Sequence, residues 1–451
     1  MTNIAPALTR GPVGRSIWTM TLGMLVGQVA MTAFNITDTW FVSRLGTLPL
    51  AAMSFTFPVV LIVNGVMFGL GIGASSIISR VIGQGDRDQV RRLTTHALWL
   101  TVVLGVLMAL LGLATYRHIF ALMGAEGETL DLTLSYMRIW FLGFPVGGIP
   151  MVMNNAIRAT GDARTPGVIM AVVAGVNAVL DPIFIFGLGP VPALGLEGAA
   201  IATVIGRMIS TAWALHIIHR KLHMIDWHLR PPHLLWDSWR RFITMGLPAT
   251  GTMIVLPLSG AMLTRLIAHH GGDPAVAAWG AGGRVDGLTF MLIMAMGSVL
   301  LPFVGQNEGA GRQDRSAKGV AWALKFGMTY CAVAGGLIYL FAPDLTRLFT
   351  NDPATTTTLI RYLRIISLCY PAVALAVMSY NGLMGLDRPV AAFVLTILRN
   401  LGLYVPLAWL GGRLLGVPGV LWGVFIGAYV SGVMAWLLYR HYQKVATRPV
   451  D

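Results

Sequence analysis

Residues 135–145, "SYMRIWFLGFP", followed by residues 154–166, "NNAIRATGDARTP", read again as "RYLRIISLCYP" (361–371) and "YNGLMGLDRP" (380–389), with Pro145 set against Pro371 and Asn155 against Asn381. Working outward, "GLEGAAIAT" from Gly195 returns as "GVPGVLWGV" from Gly416, and "RLGTLPLAAM" from Arg44 as "HGGDPAVAAW" from His270. "VIGQGDRDQVRR" from Val81 loosely matches "VGQNEGAGRQDR" from Val304. A shift of about 221–226 residues places every match in the same order, so the chain is an internal duplication.

Each copy is apolar. Of 451 residues, 55% are hydrophobic and 11% charged, whereas a soluble chain carries about 25% charged residues. Twelve predominantly apolar runs are long enough to cross a bilayer as helices, beginning near residues 16, 49, 93, 133, 166, 194, 242, 276, 319, 357, 390 and 416. The expected fold is an all-α polytopic membrane protein of twelve transmembrane helices in two six-helix lobes. Because six is even, both copies enter the membrane from the same side, as parallel repeats about an axis along its normal. This is a transporter architecture. The expected bounds are 1–220 for the first lobe, 221–240 for a polar cytoplasmic linker and 241–451 for the second lobe.

The net charge of +13 could suggest a nucleic-acid partner, but its placement argues for a lipid bilayer instead. With the N-terminus inside, the tails and even-numbered loops hold 20 Lys and Arg residues, Arg230 and Arg448 among them. The odd loops and their borders hold 5: Arg44, Arg117, Arg347, Arg361 and Arg413. This bias predicts a multi-pass protein with cytoplasmic termini; the expected location is the inner (plasma) membrane of a prokaryote. The first fifteen residues lead into a long helix with no small-residue cleavage site, so no removable leader is expected. Cys331 and Cys369 fall inside spans and read as packing residues.

A carboxylate at the centre of a membrane helix costs about 2.5–3.5 kcal/mol, so acids there usually face a cavity and serve function. Asp38, in "NITDTWFVSRLG" (35–46), and Asp181, in "GVNAVLDPIF" (175–184), lie within apolar sequence. Asn177 is one turn before Asp181 on the same helix face. The repeat supplies a control, setting Leu263 opposite Asp38 and Tyr404 opposite Asp181 while Asn400 stays opposite Asn177. A shared structural role would require acids in both lobes, so the asymmetry favours function, although an Asn–Asp pair joining helices remains the alternative for Asp181. Glu197 reads as a carboxylate at a helix N-terminus, and Asp286 as the partner of Arg284 in an ion pair.

Other features read as structural. Gly69, Gly71 and Gly73 in "FGLGIGAS" superficially resemble a phosphate loop but suit close helix packing within an apolar span. His216, His219 and His223 sit with Arg220 and Lys221 and read as a headgroup-facing cluster. "HHGGD" (269–273) reads as an exposed outer loop. Arg138, Arg207, Arg265 and Arg399 lie in spans, where snorkelling, pairing with the acids or lining a path are all open. No nucleophile, base or metal-ligand spacing supports catalysis, so the chain is not expected to be an enzyme.

"DTWFVSRLGTLPLAA" from Asp38, "AIRATGDARTP" from Ala156, "GLEGAAIATVIGR" from Gly195 and "LPFVGQNEGAG" from Leu301 together resemble the multidrug and toxic compound extrusion (MATE) family across essentially the whole chain. The acids in the first and fifth spans resemble its DinF branch. The resemblance implies a proton-coupling site at Asp38, Asn177 and Asp181, with Tyr136, Asn154, Asn155, Thr203 and Phe34 lining a substrate cavity. The seventh and tenth spans hold no acid, unlike the sodium-linked branch. One departure is Gly23, standing where the family commonly has a proline fifteen residues before the first-span aspartate; Pro248 keeps the matching place in the second lobe.

The function the resemblance implies is secondary active, proton-coupled antiport of amphipathic or cationic compounds by alternating access. The protein would act as a monomer, without cofactor. An apolar setting makes the ionised carboxylate costly while a cationic substrate stabilises it, so proton and substrate would compete at Asp38. A sodium-coupled drug antiporter and a lipid or lipid-linked oligosaccharide flippase of the same superfamily are the alternatives. A major facilitator antiporter shares the twelve spans but not the remaining pattern, and a membrane-embedded enzyme or scaffold is the reading from another class.

Overall fold

The computed structural model describes residues 6–228 and 231–446; Arg230 and Arg448 lie outside the described residues. Its helices follow the apolar runs. They are α1 (Val13–Ser43), α2 (Thr47–Gln84), α3 (Arg87–Leu122), α4 (Gly127–Gly147), α5 (Ile149–Ala159), α6 (Arg164–Phe186) and α7 (Gly195–His216), which ends in a π-helical turn, Ile217–Lys221. Then come α8 (Pro232–Gly309), α9 (Gln313–Leu340), the short α10 (Ala342–Arg347), α11 (Pro353–Ser367), α12 (Tyr370–Gly385), α13 (Pro389–Ile397), a π-helical segment Leu398–Tyr404, α14 (Val405–Leu415) and α15 (Val417–Ala446).

Among the described residues, 9 helices are long and apolar enough to cross a bilayer, or 10 if the bent pair α11 and α12 counts as one span. The other two expected runs are also present. α8 holds two of them, 232–271 and 273–309, divided at Gly272, whose φ of 61° only glycine adopts without strain. α4 and α5 form one broken span, the first-copy counterpart of α11 and α12, which meet at 50°. Each second half begins with a proline in its first turn, Pro150 or Pro371, where the missing N–H has no helical partner to lose.

Contacts divide the chain into one unit of residues 22–250 and another of Leu8–Thr21 with Gly251–Asp451. The division departs from the expected bounds in two places, each with a local cause. The described residues of the expected 221–240 linker belong to the first unit and pack on α3. Thr95 Oγ1 accepts the Asp226 amide at 2.9 Å, His96 Nδ1 and Ser238 Oγ are 2.9 Å apart, and Trp239 Nε1 donates to the His96 carbonyl at 3.1 Å. Met224 and Ile225 are buried in the same core as α3.

Residues 8–21, expected in the first lobe, are held by the second unit. The Leu8 amide donates to Gln306 Oε1 at 3.0 Å, and Asn307 Nδ2 donates to the Leu8 carbonyl at 3.2 Å. Arg312 donates to the Thr9 carbonyl at 2.7 Å, and Arg315 to the carbonyls of Leu8, Arg10 and Gly11 at 3.2, 2.8 and 2.7 Å. Trp18 packs against Phe326, the rings tilted by 57° with centroids 5.0 Å apart. Thus α1 begins in one unit and, from Leu22 on, belongs to the other.

The glycines of "FGLGIGAS" lie inside α2 and do pack helices. A Cβ on Gly71 would stand 2.6 Å from Asn155 Nδ2 of α5, and one on Gly73 would stand 3.0 Å from the Gly246 amide of α8. Glu197 occupies the first turn of α7, as expected.

Candidate functional site

The site in the first unit starts with a close approach of two helices. Gly23 and Gly27 are four apart and therefore share one face of α1. A Cβ on Gly23 would come within 2.9 Å of the Arg164 backbone, and one on Gly27 within 2.9 Å of Gly167 Cα in α6. Small residues at this spacing let membrane helices touch backbone to backbone. Gly23, the departure from the family's proline, thus has a packing role, and α1 runs as one helix through it.

Further along the same helices stand the two acids. Asp38 is 6% exposed, Asp181 0% and Asn177 1%. Asn177 Nδ2 donates to Asp181 Oδ1 at 3.3 Å. Asp181 Oδ2 and Asp38 Oδ1 are both buried with no hydrogen-bond partner. The charge of Asp38 is felt at Asp181, and both are felt at the buried hydroxyl of Tyr136 on α4. Gly206 of α7 closes the other side, where a Cβ would be 2.6 Å from Asn177 Oδ1. Arg207, the next residue, lies 5.2 Å from the Trp140 ring and interacts electrostatically with Tyr136. No ion pair joins Arg207 to either acid among the described residues.

The group has a distinct chemistry. Two buried carboxylates lie within electrostatic reach of each other and of a buried phenol, and one of them has an amide donor. Oxygens that are buried and unpartnered are costly when ionised, so the chemistry open to such a set is to hold a proton or a cation.

The other expected residues divide. Phe34 is half-buried one turn before Asp38 on α1, and Thr203 is half-buried one turn before Arg207 on α7. Asn154 is half-buried, with Oδ1 unpartnered. Asn155 is otherwise engaged. Its Nδ2 donates to the Met151 carbonyl, and its Oδ1 accepts from Arg158, each at 2.6 Å, which makes it a support for a buried arginine. The sequence reading counted Arg158 among the cytoplasmic loop charges, whereas it is 6% exposed within α5.

In the second unit the expected Arg284–Asp286 ion pair is absent. Residues two apart on a helix do not face each other, and Asp286 instead accepts hydroxyl hydrogen bonds from Tyr362 at 2.7 Å and Tyr370 at 2.6 Å. Those tyrosines stand on α11 and α12, so one carboxylate ties both arms of the broken span. The counterparts of the first-unit acids are Leu263, 5% exposed, and Tyr404, 9% exposed, with Asn400 again buried at 3%.

A duplicated bundle of membrane helices with two buried acids in one copy has the architecture of a membrane transporter. Residues 24–183 and 248–410 match the MatE family model, so the chain belongs to the multidrug and toxic compound extrusion family. It is 33% identical over 431 residues to the FAD transporter of Shewanella oneidensis, covering 96% of this chain and 95% of that one. It is 24% identical over 434 residues to the multidrug export protein MepA of Staphylococcus aureus, covering 95% and 94%. Its structure matches a MOP superfamily transporter from Pyrococcus furiosus with a TM-score of 0.90 at 26% identity, covering 99% of this chain and 100% of that one. The chain is a multi-pass membrane protein of an efflux family.

Proposed function

We propose that the protein exports amphipathic compounds across a prokaryotic inner membrane in exchange for protons, with Asp38 and Asp181 as the proton-carrying pair. In this reading it works as a DinF-like monomer with both termini in the cytoplasm. The observation that carries it is the pair itself, two buried carboxylates in one six-helix unit, each with an oxygen that has no partner. Asn177 and Tyr136 supply the polar neighbours. A proton on either acid removes a charge from the apolar interior, while loss of the proton leaves a carboxylate that can hold a cation. Transport follows if inward- and outward-facing states bind the two with different affinity.

The number of protons decides the energetics. One charge crossing a membrane is worth about 2.3 kcal/mol per 100 mV. Exchange of one proton for one monovalent cation makes no use of that potential, whereas exchange of two does.

A second cargo reading is favoured by the 33% identity to a FAD transporter along nearly the whole chain. A flavin dinucleotide is planar, aromatic and anionic, and exchange of an anion for protons moves charge in the direction a negative-inside potential drives.

Purified protein in liposomes tests the coupling ion. Under an imposed pH gradient without sodium, a fluorescent cationic dye should be taken up against its gradient. Uptake that follows a sodium gradient and ignores the pH gradient would reassign the coupling.

A further inference from the structure

The second unit repeats the acid site of the first with its polarity reversed. Leu263 and Tyr404 stand where the first copy has Asp38 and Asp181, Asn400 keeps the place of Asn177, and Arg399 replaces Val176. We propose that Arg399 is the centre of an anion-binding subsite, which takes the phosphate or carboxylate of an aromatic substrate. The proposal rests on the transporter reading above and assigns the anionic part of the cargo to the second unit.

Depth comes first. Arg399 is the eleventh residue of a 27-residue span, Pro389–Leu415, about 15 Å from its start at 1.5 Å per residue. A hydrocarbon core is about 30 Å thick, so the guanidinium sits near mid-bilayer. The side chain does not snorkel toward the start of the span, because its guanidinium lies by the Tyr404 ring, five residues further on. A cation at this depth needs a cavity or an anion.

No protein anion fills that role. Arg399 is half-buried and its Nε has no partner. Among the described residues no carboxylate forms an ion pair with it, and Asp286, the acid of this unit within the spans, is held by Tyr362 and Tyr370. The neighbouring amide is also occupied. Asn400 Nδ2 donates to the Thr396 carbonyl at 2.9 Å, and its Oδ1 accepts from Ser259 at 3.3 Å.

Local backbone and aromatic placement complete the subsite. Leu398–Tyr404 is π-helical, just before Pro406, which lacks the N–H that would continue a regular ladder. The bulge places the Arg399 guanidinium 5.4 Å from the Tyr404 ring centroid, within cation–π range. Cys369, at the joint of the broken span, feels its charge. A planar guanidinium on an aromatic face still presents donors for a two-pronged grip on phosphate or carboxylate.

Two probe pairs test the subsite, each differing by one phosphate: FMN with riboflavin, and 1-naphthyl phosphate with 1-naphthol. Binding is followed by fluorescence on full-length protein in nanodiscs. Wild type should bind each phosphorylated member at least tenfold more tightly than its neutral twin, a difference of about 1.4 kcal/mol. Arg399→Gln should erase that difference while leaving the neutral twins unchanged, and Arg399→Lys should restore part of it. Absence of any phosphate preference in wild type, or equal loss of both members of a pair in Arg399→Gln, would overturn the subsite. A preference seen with the naphthyl pair alone supports the subsite and removes the flavin cargo. Proton-driven dye uptake by the same purified protein reconstituted in liposomes is scored separately, so a failure of the coupling reading is distinguishable.

Discussion

Asn177 donates to one oxygen of Asp181 at 3.3 Å, while the other oxygen of that carboxylate is buried without a partner. The amide therefore holds the acid in place without neutralising it. Asn177→Ala should weaken this part of α6 by about 0.6–2 kcal/mol, the range of hydrogen bonds between membrane side chains. The thermal midpoint in detergent should fall only slightly, while pH-driven transport should drop severalfold. Unchanged transport would mean the amide only joins helices.

Gly206→Ala tests the same group from the other side. A Cβ there would lie 2.6 Å from Asn177 Oδ1, so the amide must turn away from Asp181. Transport should fall with the fold intact, by an amount comparable to Asn177→Ala, and the double variant should be no worse than either single one. Full additivity in transport assays would show that Gly206 acts elsewhere.

Much of this arrangement was legible in the sequence, because apolar run length and duplication are local properties. The twelve runs, the acids of the first copy and the packing role of "FGLGIGAS" all rest on such patterns. What was not legible depends on distant partners. Nothing near Leu8 signals that its amide and carbonyl meet Gln306 and Asn307, 298 and 299 residues away. Asp286 was assigned to Arg284 by nearness in sequence, whereas its donors lie 76 and 84 residues on. The close contact of Gly27 with Gly167 likewise needs two helices to be placed first.

Asp286→Asn addresses the broken span. An asparagine has one acceptor oxygen, and its amino group cannot accept the second tyrosine hydroxyl. That hydroxyl loses its bond to a carboxylate, at a cost of about 1.5–3 kcal/mol, and can only accept from the amide instead. Thermal unfolding should begin several degrees lower, with faster amide exchange around Leu368 and Cys369. Tyr362→Phe should reproduce part of the loss.

The amino-terminal arm offers a test remote from the acids. Arg315 holds three carbonyls, those of Leu8, Arg10 and Gly11. Arg315→Ala should free the arm, seen as faster hydrogen exchange and protease cleavage before Val13, with the α9 core unchanged. Exchange at wild-type rates would show that the Arg312 and Asn307 bonds suffice.

Outside the spans, Asp352 caps α11. The Thr355 hydroxyl donates to its carboxylate at 2.6 Å and the Thr355 amide at 2.8 Å. The hydroxyl bond first, and the amide bond with it, hold the carboxyl below its ordinary range. A lowered value means the cap is complete above the ordinary carboxylate range and is lost as pH falls through the lowered one. Protection of the first turn of α11, measured as exchange relative to the intrinsic rate at each pH, should therefore fall at acid pH in wild type and not change with pH in Asp352→Ala.

The most direct test of proton exchange in the first unit is uptake of a cationic dye into proteoliposomes under an imposed pH gradient, comparing wild type with Asp38→Asn. Dye exchange without a gradient is measured in the same vesicles. The account predicts that Asp38→Asn loses gradient-driven accumulation by tenfold or more while keeping some passive exchange. Accumulation at the wild-type rate in Asp38→Asn would contradict it.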